Sequence, residues 1–117
     1  MAVDAQNTDK LFGIFSSSHM EYKLLSDAKK QPTLREMTEK ALQILKKSEN
    51  GFLLVVEGGR IDTAHHETTA RLALDEAVEF QNAVDFVAKS TNEEETLIVV
   101  TSDHSTVLTV GGYMVRI

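Results

Sequence analysis

The chain has 117 residues, of which 42% are hydrophobic and 26% are charged, and these are ordinary values for one soluble globular domain. Its net charge of −6 leaves no basic stripe to neutralise phosphates, which argues against a nucleic-acid-binding surface. The longest unbroken apolar run, Phe52 to Val56, is far shorter than the ~20 residues that a membrane-spanning helix needs. The first ten residues do not resemble a signal peptide, and without cysteine the redox compartment stays open.

The first third of the chain predicts little regular structure. Residues 1–10 are polar and are expected to form a loose lead-in. The apolar segment 11–15 predicts a short strand, because it is brief and is followed by turn-forming residues. Ser16 to His19 is typical of a turn, and 23–31 of a surface connection.

A helix is predicted to begin at Thr33. The Thr33 hydroxyl can cap the helix while Glu36, three residues on, completes a capping box. Apolar residues then recur at helical spacing and predict one buried face: Leu34, Met37, Ala41, Leu42 and Leu45. Asn50-Gly51 offers a left-handed cap that would end this helix.

Two further apolar runs, at 52–57 and 96–101, predict strands, with a helix at about 68–89 between them. The apolar positions of that helix, with one break at Gln81, are Ala70, Leu74, Ala77, Val78, Val84 and Val87. Strand, helix, strand is a βαβ unit whose two strands run parallel. Continuous apolar runs are typical of parallel strands buried on both faces. Gly58-Gly59 predicts a tight turn, and 107–110 a short extension. The expected fold class is therefore α/β, part of a mostly parallel sheet flanked by helices and incomplete in this chain.

Candidate metal ligands follow both predicted strands. Asp62 and His66 are four residues apart, so a helical turn would place both on one side, although His65 is a rival at three residues. Asp103 and His104 can meet one metal if the chain bends after its strand. Ligands bind open α/β sheets at the carboxyl ends of strands, and zinc accepts both carboxylate and imidazole. The two clusters favour a two-metal hydrolytic site.

Glu57 ends the first of these strands, and an extra carboxylate beside zinc sites suits magnesium. Each pattern alone has a plainer interpretation, since most Asp-x-x-x-His pairs are surface or capping residues and Asp-His after a strand is usually a turn. Their joint occurrence at the ends of two strands expected to be neighbours favours the metal hypothesis. His19 is isolated and is expected to be exposed.

These motifs resemble those of alkaline phosphatases. The resemblance is carried by Val-Glu-Gly-Gly-Arg-Ile-Asp-Thr-Ala-His-His at 56–66, Asp-His-Ser at 103–105 and Gly-Gly-Tyr at 111–113. It runs from about residue 11 to 113 and includes Leu-Phe-Gly-Ile-Phe and Met-Thr-Glu-Lys-Ala-Leu. The Glu-Gly-Gly-Arg-Ile-Asp form resembles the animal branch, and residues 1–117 would be a single partial domain of that α/β type.

The resemblance implies five metal ligands in three sites: Glu57 for magnesium, Asp62 and His66 for a first zinc ion, and Asp103 and His104 for a second. His65 would be a neighbour rather than a ligand. The resemblance also implies hydrolysis of phosphate monoesters through a phosphoserine intermediate, with zinc activating the serine and then water. It further suggests a homodimer, lipid-anchored at the cell surface.

Parts of the family's site are absent from this sequence. The family's nucleophile lies in an Asp-Ser-Ala motif, whereas Ser26-Asp27-Ala28 has the wrong order. The phosphate-clamping arginine belongs to the same absent region and is not assigned to Arg60 or Arg71. The last histidine of the first zinc site would lie beyond residue 117. We therefore expect a fragment without catalytic residues of its own that is inactive alone.

Two departures fall within the matched region. The family often has a second histidine where this chain has Thr106, a position beside the ligands rather than among them. Two acidic ligands of a calcium site in animal members align with Ser16 and Gln31, which are uncharged. We expect that calcium site to be weak or lost.

Two alternative functions stay open. Another enzyme of the same superfamily, such as a sulfatase or phosphodiesterase, would share the two-metal site and differ in its nucleophile region. A non-catalytic metal-binding or interaction fragment would keep the five ligands and have no chemistry of its own. Zinc binding without phosphatase activity would favour the fragment.

Overall fold

The structure, a computed structural model, describes residues 3–109 and 112. Its regular elements are a short 3-10 helix and three α-helices: the 3-10 helix Lys23–Leu25, α1 Leu34–Leu45, α2 Arg60–His66 and α3 Ala70–Ser90. The helix α3 is the centre of the arrangement, because α1, α2 and the 3-10 helix all pack against it.

The start of α1 confirms the predicted capping box. The Thr33 hydroxyl accepts from the Glu36 N–H at 3.1 Å, and the Glu36 carboxylate accepts from the Thr33 N–H at 2.8 Å. The predicted end is wrong, since α1 stops at Leu45 and the chain continues in turns. Gly51 does adopt the left-handed conformation, with φ of 77°, but several residues beyond the helix.

The most buried side chains of α1 lie at its interface with α3. Leu42 and Thr38 of α1 are 2% and 3% exposed, opposite the buried Ala83 of α3. Buried Glu79 of α3 accepts a hydrogen bond from the Arg35 N–H at 3.0 Å, so a side chain of α3 satisfies one of the free N–H groups at the start of α1. A carboxylate at a helix N-terminus is also favoured by the helix dipole, which accounts for a buried charge here.

The helix predicted at 68–89 is found at Ala70–Ser90, but its buried face differs from the predicted one. Leu74 and Val78 belong to the predicted apolar face, and they are 68% and 53% exposed. The buried positions are Ala73, Glu79 and Ala83. The reason is that α1, α2 and the 3-10 helix pack against α3 without covering Leu74 and Val78.

The expected α/β fold, a mostly parallel sheet flanked by helices, is wrong. No strand occurs in residues 3–109, at 11–15, 52–57, 96–101 or 107–109; residue 110 lies outside the described residues. The apolar runs are non-helical, but no backbone hydrogen bond joins 52–57 to 96–101 among the described residues.

The two extended segments form no hydrogen-bonded ladder because of where they lie in the fold. The expectation assumed that strands consecutive along the chain would be neighbours, which holds for only roughly two-thirds of such pairs. Here 52–57 and 96–101 instead line a groove of about 570 Å³ whose floor includes side chains of α1 and α3. Each segment therefore meets helices on one side and finds no strand partner in the described part of the chain.

The two extended segments are covered on one face only, whereas burial on both faces was expected. Leu53 and Val55 are 86% and 82% exposed, as are Leu97 and Val99 at 88% and 75%. The residues between them are more covered, in keeping with the two-residue period of an extended chain. A large apolar surface is consequently left open.

The N-terminal segment from residue 3 onward is bonded to lysine side chains of α1 and of the turn that follows it. The Lys40 Nζ donates to the Val3 carbonyl at 3.0 Å, and the Lys47 Nζ donates to the Thr8 carbonyl at 2.7 Å. Asp4 accepts from the Asn7 side chain at 2.7 Å, and this hydrogen bond lowers the pKa of Asp4 below its ordinary value. Across residues 3–109, none of the helices combines the length and apolar character that crossing a membrane demands.

Candidate metal centre

The helix that carries the first ligand pair begins directly after Gly58-Gly59. The Ile61 N–H donates to the Gly58 carbonyl at 3.1 Å, which forms the predicted tight turn. A Cβ at Gly58 would lie 3.1 Å from a methyl carbon of Ile61 and 3.2 Å from the Phe80 ring, so a larger residue would crowd this turn. The chain then enters α2 at Arg60, as the ligand hypothesis requires.

The first ligand pair lies on one face of α2. The His66 Nε2 is 3.3 Å from the Asp62 Oδ2, because residues four apart are neighbours on a helix surface. Among the described residues His65 makes no such contact, although sequence spacing alone left it as a rival. The structure therefore brings His66 to Asp62.

The second pair meets the first across the fold. The His104 Nε2 is 3.5 Å from the Asp103 Oδ2 and 3.7 Å from the Asp62 Oδ1. The chain thus bends after the second extended segment, as a shared ligand role for neighbouring residues requires. Four of the five ligands inferred from sequence lie together, with Asp62 between the two histidines.

The separations within each pair suit zinc. Two atoms bound to one tetrahedral zinc ion, each ~2.0–2.2 Å from it, lie about 3.3–3.6 Å apart. The Asp62–His66 and Asp103–His104 separations of 3.3 Å and 3.5 Å match that tetrahedron edge. Each pair could therefore hold one ion with little movement of its side chains.

The Asp62 Oδ1 gives a second reason to regard this cluster as a ligand site. It is a covered oxygen without a hydrogen-bond partner, even though the side chain as a whole is 44% exposed. Leaving a carboxylate oxygen without a partner costs free energy, and a cation would satisfy it. The donor set thus fits a metal ion at Asp62.

The cluster is not a complete metal site. No group of three or more histidine, aspartate or glutamate side chains in residues 3–109 is arranged to hold one ion. Catalytic zinc usually takes three protein ligands and structural zinc four. Each pair supplies two, so a stable site would need further ligands.

Comparison with known proteins identifies the family. The family model described as alkaline phosphatase matches residues 1–117. The chain belongs to the alkaline phosphatase family. The chain is 47% identical to the membrane-bound alkaline phosphatase of Bombyx mori over 92% of its own length. It is also 47% identical to the human tissue-nonspecific isozyme over 99% of its length, and 46% identical to alkaline phosphatase 4 of Drosophila melanogaster over 97%.

The chain spans about a fifth of the length of these relatives, from 19% to 22%. Family membership therefore places the motifs within alkaline phosphatases, as the resemblance suggested. It does so for a segment of such a protein and not for its whole length.

The remaining expected ligand, Glu57, stands apart from the cluster. Its side chain is exposed and turns towards Gly59, whose added Cβ would lie 3.2 Å from the Glu57 Oε1. Among the described residues no ion pair or hydrogen bond joins Glu57 to Asp62 or to either histidine of the cluster. A magnesium role for Glu57 stays a prediction.

The residues aligned with the family's calcium ligands are engaged in other bonds. The Ser16 hydroxyl donates to the His19 carbonyl at 2.9 Å. The Gln31 side chain accepts from the Glu21 N–H at 3.0 Å and donates to the Glu21 carbonyl at 2.9 Å. Uncharged side chains that already satisfy the backbone do not fit a calcium site, which prefers carboxylate oxygens.

The sequence analysis did not predict the residues that pack against the face of α2 opposite Asp62 and His66. Tyr22 is 4% exposed and packs with Ala64 and Ala73, and the Arg60 guanidinium lies 3.7 Å above its ring centre. The Tyr22 hydroxyl donates to the Glu67 carboxylate at 2.7 Å. A lone tyrosine in an irregular segment carries no periodic signal, so its burial could not be read from spacing.

Proposed function

We propose that this chain supplies the zinc-ligand segment of an alkaline phosphatase that hydrolyses phosphate monoesters. The observation that carries the proposal is the convergence of Asp62, His66, Asp103 and His104 from two distant parts of the sequence. Their separations match the edges of a zinc tetrahedron, and the motifs containing them fall within the family match.

In this proposal Asp62 and His66 hold one zinc ion, Asp103 and His104 hold a second, and Glu57 holds magnesium. When bound, zinc supplies Lewis acidity that polarises phosphoryl oxygens and lowers the pKa of an attacking hydroxyl. The chain's own contribution is to orient these ligands. Asp62 also places a carboxylate between the histidines, which favours a cation there.

The phosphatase proposal is favoured over a sulfatase or phosphodiesterase by the comparisons. The family model spans all 117 residues, and the relatives named above are alkaline phosphatases. The sequence contains no Asp-Ser-Ala motif, so the serine of the proposed phosphoserine step is not among these residues. The chain alone is therefore proposed to be inactive.

A non-catalytic metal-binding fragment is the second candidate. Its support is that each ligand pair supplies only two donors and that the nucleophile motif is missing. This candidate predicts zinc binding without any contribution to hydrolysis, whatever other segments are supplied.

Location and assembly follow the family in this proposal. A relative named as membrane-bound supports membrane attachment of the whole protein. The lipid anchor at the cell surface and the homodimer come into the proposal from the family resemblance alone. The net charge of −6 supports small phosphate esters rather than nucleic acid as the substrate class.

A chimera separates the two candidates. The 116-residue segment of the human tissue-nonspecific isozyme that aligns with this chain would be replaced by this chain. We expect the purified chimera to retain zinc and hydrolyse p-nitrophenyl phosphate. Asp103→Ala should abolish this hydrolysis, whereas Glu93→Ala, an exposed change away from the cluster, should leave it unchanged. A folded, zinc-loaded chimera without hydrolysis would support the non-catalytic fragment.

A further inference from the structure

The helix α2 is too short to hold its own conformation. It has seven residues, and its N-cap, Gly59, has no side chain to cap it. Isolated helices below ~12–15 residues are marginal in water, so the orientation of α2 must come from tertiary contacts. This orientation decides where Asp62 and His66 point.

The two faces of α2 differ in exposure. At 3.6 residues per turn, Arg60, Ala64 and Glu67 lie about 140–200° around the axis from Asp62. Ala64 is fully buried, whereas the His66 side chain on the ligand face is 77% exposed. The ligand face is open, and the opposite face is packed.

Tyr22 contacts the packed face at three points. Its ring lies under the guanidinium of Arg60, the first residue of α2, at 3.7 Å. It packs with Ala64 in the middle of the helix. Its hydroxyl donates at 2.7 Å to Glu67, the residue that caps the end. One side chain therefore contacts both ends and the centre of α2.

The backbone around Tyr22 is itself held by α3. The Lys23 N–H donates to the Glu76 Oε1 at 2.7 Å, and the Lys23 ammonium is 3.9 Å from Asp75. The Tyr22 N–H donates to the Glu21 carboxylate at 2.9 Å. Tyr22 thus links α2 to α3, the longest helix among the described residues, rather than to a free loop.

We propose that Tyr22 is a positioning residue that fixes the rotation of α2 and so aims Asp62 and His66 at their metal ion. The inference rests on the proposed zinc role of this pair. Tyr22 reaches the metal only through α2, because it lies on the opposite face. Burial raises the pKa of Tyr22 above its ordinary 10.0, and the Glu67 hydrogen bond adds to this, so the hydroxyl remains a donor in mildly alkaline solution.

The test is cobalt(II) titration of the chain, followed by visible absorption. Two backgrounds isolate the pairs: Asp103→Ala leaves Asp62 with His66, and the double change Asp62→Ala with His66→Ala leaves Asp103 with His104. In the first, Tyr22→Leu should weaken cobalt binding by about tenfold or more, the usual effect of losing a group that orients a ligand. In the second, the change should be less than about twofold, because the distant pair does not depend on the rotation of α2.

Tyr22→Phe keeps the ring and removes only the hydroxyl, so it covers the case in which Tyr22→Leu fails to fold. We expect an intermediate loss in the Asp103→Ala background, together with faster amide exchange in α2 than in α1. Phe12→Leu, a change of an 86% exposed aromatic residue, is the matched control and should alter neither.

The outcomes are distinguishable. Equal weakening in both backgrounds would show a general structural role and overturn the inference, as would unchanged binding in the first background. A wild-type chain that binds no cobalt would overturn the proposed zinc role itself. In that case, faster amide exchange in α2 of Tyr22→Phe, with no change in α1, would still show that Tyr22 holds the helix. It would not show that Tyr22 positions metal ligands.

Discussion

The two ligand pairs of the candidate metal centre are held in different ways. Asp62 and His66 lie on α2, whose opposite face is buried through Ala64 and Tyr22. Asp103 and His104 lie in irregular chain and are 85% and 53% exposed. Both pairs follow extended apolar segments, but only the first segment leads into a packed helix. The first pair is therefore preorganised by folding, whereas no packed helix holds the second pair.

The largest expected effect concerns catalysis. Both pairs are present in the isolated chain, yet its hydrolysis of p-nitrophenyl phosphate should be several powers of ten below that of a complete enzyme, because the serine motif is missing. A continuous absorbance assay on pure, metal-loaded chain measures this. Robust hydrolysis that Asp103→Ala abolishes would contradict the account and show that the two pairs suffice.

A second expected effect concerns the extended segments that precede the pairs. Their exposed faces should drive the chain to associate, since unpaired extended edges and open apolar surface favour intermolecular contact. Leu53→Lys and Val99→Lys should each raise the monomer fraction in sedimentation velocity. Leu74→Lys, a change at a 68% exposed position of α3, should raise it less.

The same experiment can show that the extended segments need no partner. A wild-type chain that sediments as a monomer and unfolds in one sharp thermal transition would show that the extended segments are adequately covered. The contrast between a packed first pair and an unsupported second pair would then lose its structural basis.

The smallest expected effect is at the aligned calcium position. Gln31 already binds the Glu21 backbone and Ser16 binds the His19 carbonyl, so added calcium should give no saturable heat by calorimetry. The double change Ser16→Glu with Gln31→Asp should create measurable binding, because it restores two carboxylates. Tight calcium binding by the unaltered chain would contradict this assignment.

The sequence predicted local features well and long-range pairing poorly. Thr33 and Glu36 form the expected capping box because such a box depends only on neighbours in the chain. The helical spacing of Asp62 and His66 was likewise sufficient to place both on one side. The ladder between 52–57 and 96–101 failed, because apolar runs indicate extended chain but do not say which segment lies beside it.

The candidate site shows the same limit. The resemblance implied that His66 rather than His65 accompanies Asp62, and the structure brings His66 to Asp62. The ligand roles of the four clustered residues stay a prediction. The sequence could not indicate Tyr22, because its role depends on a fold that brings an irregular segment against the face of α2 opposite Asp62. Glu57 remains a prediction, since it lies outside the cluster.

Zinc titration calorimetry of the four single histidine variants tests the ligand assignment. His66→Ala should weaken binding by at least about tenfold, since the ion loses one of few protein ligands, and His104→Ala should weaken it clearly but less. His19→Ala and His65→Ala should bind as the unaltered chain does, and binding should weaken in acid because imidazole must be neutral to ligate. An equal loss from His19→Ala, or none from His66→Ala, would contradict the assignment.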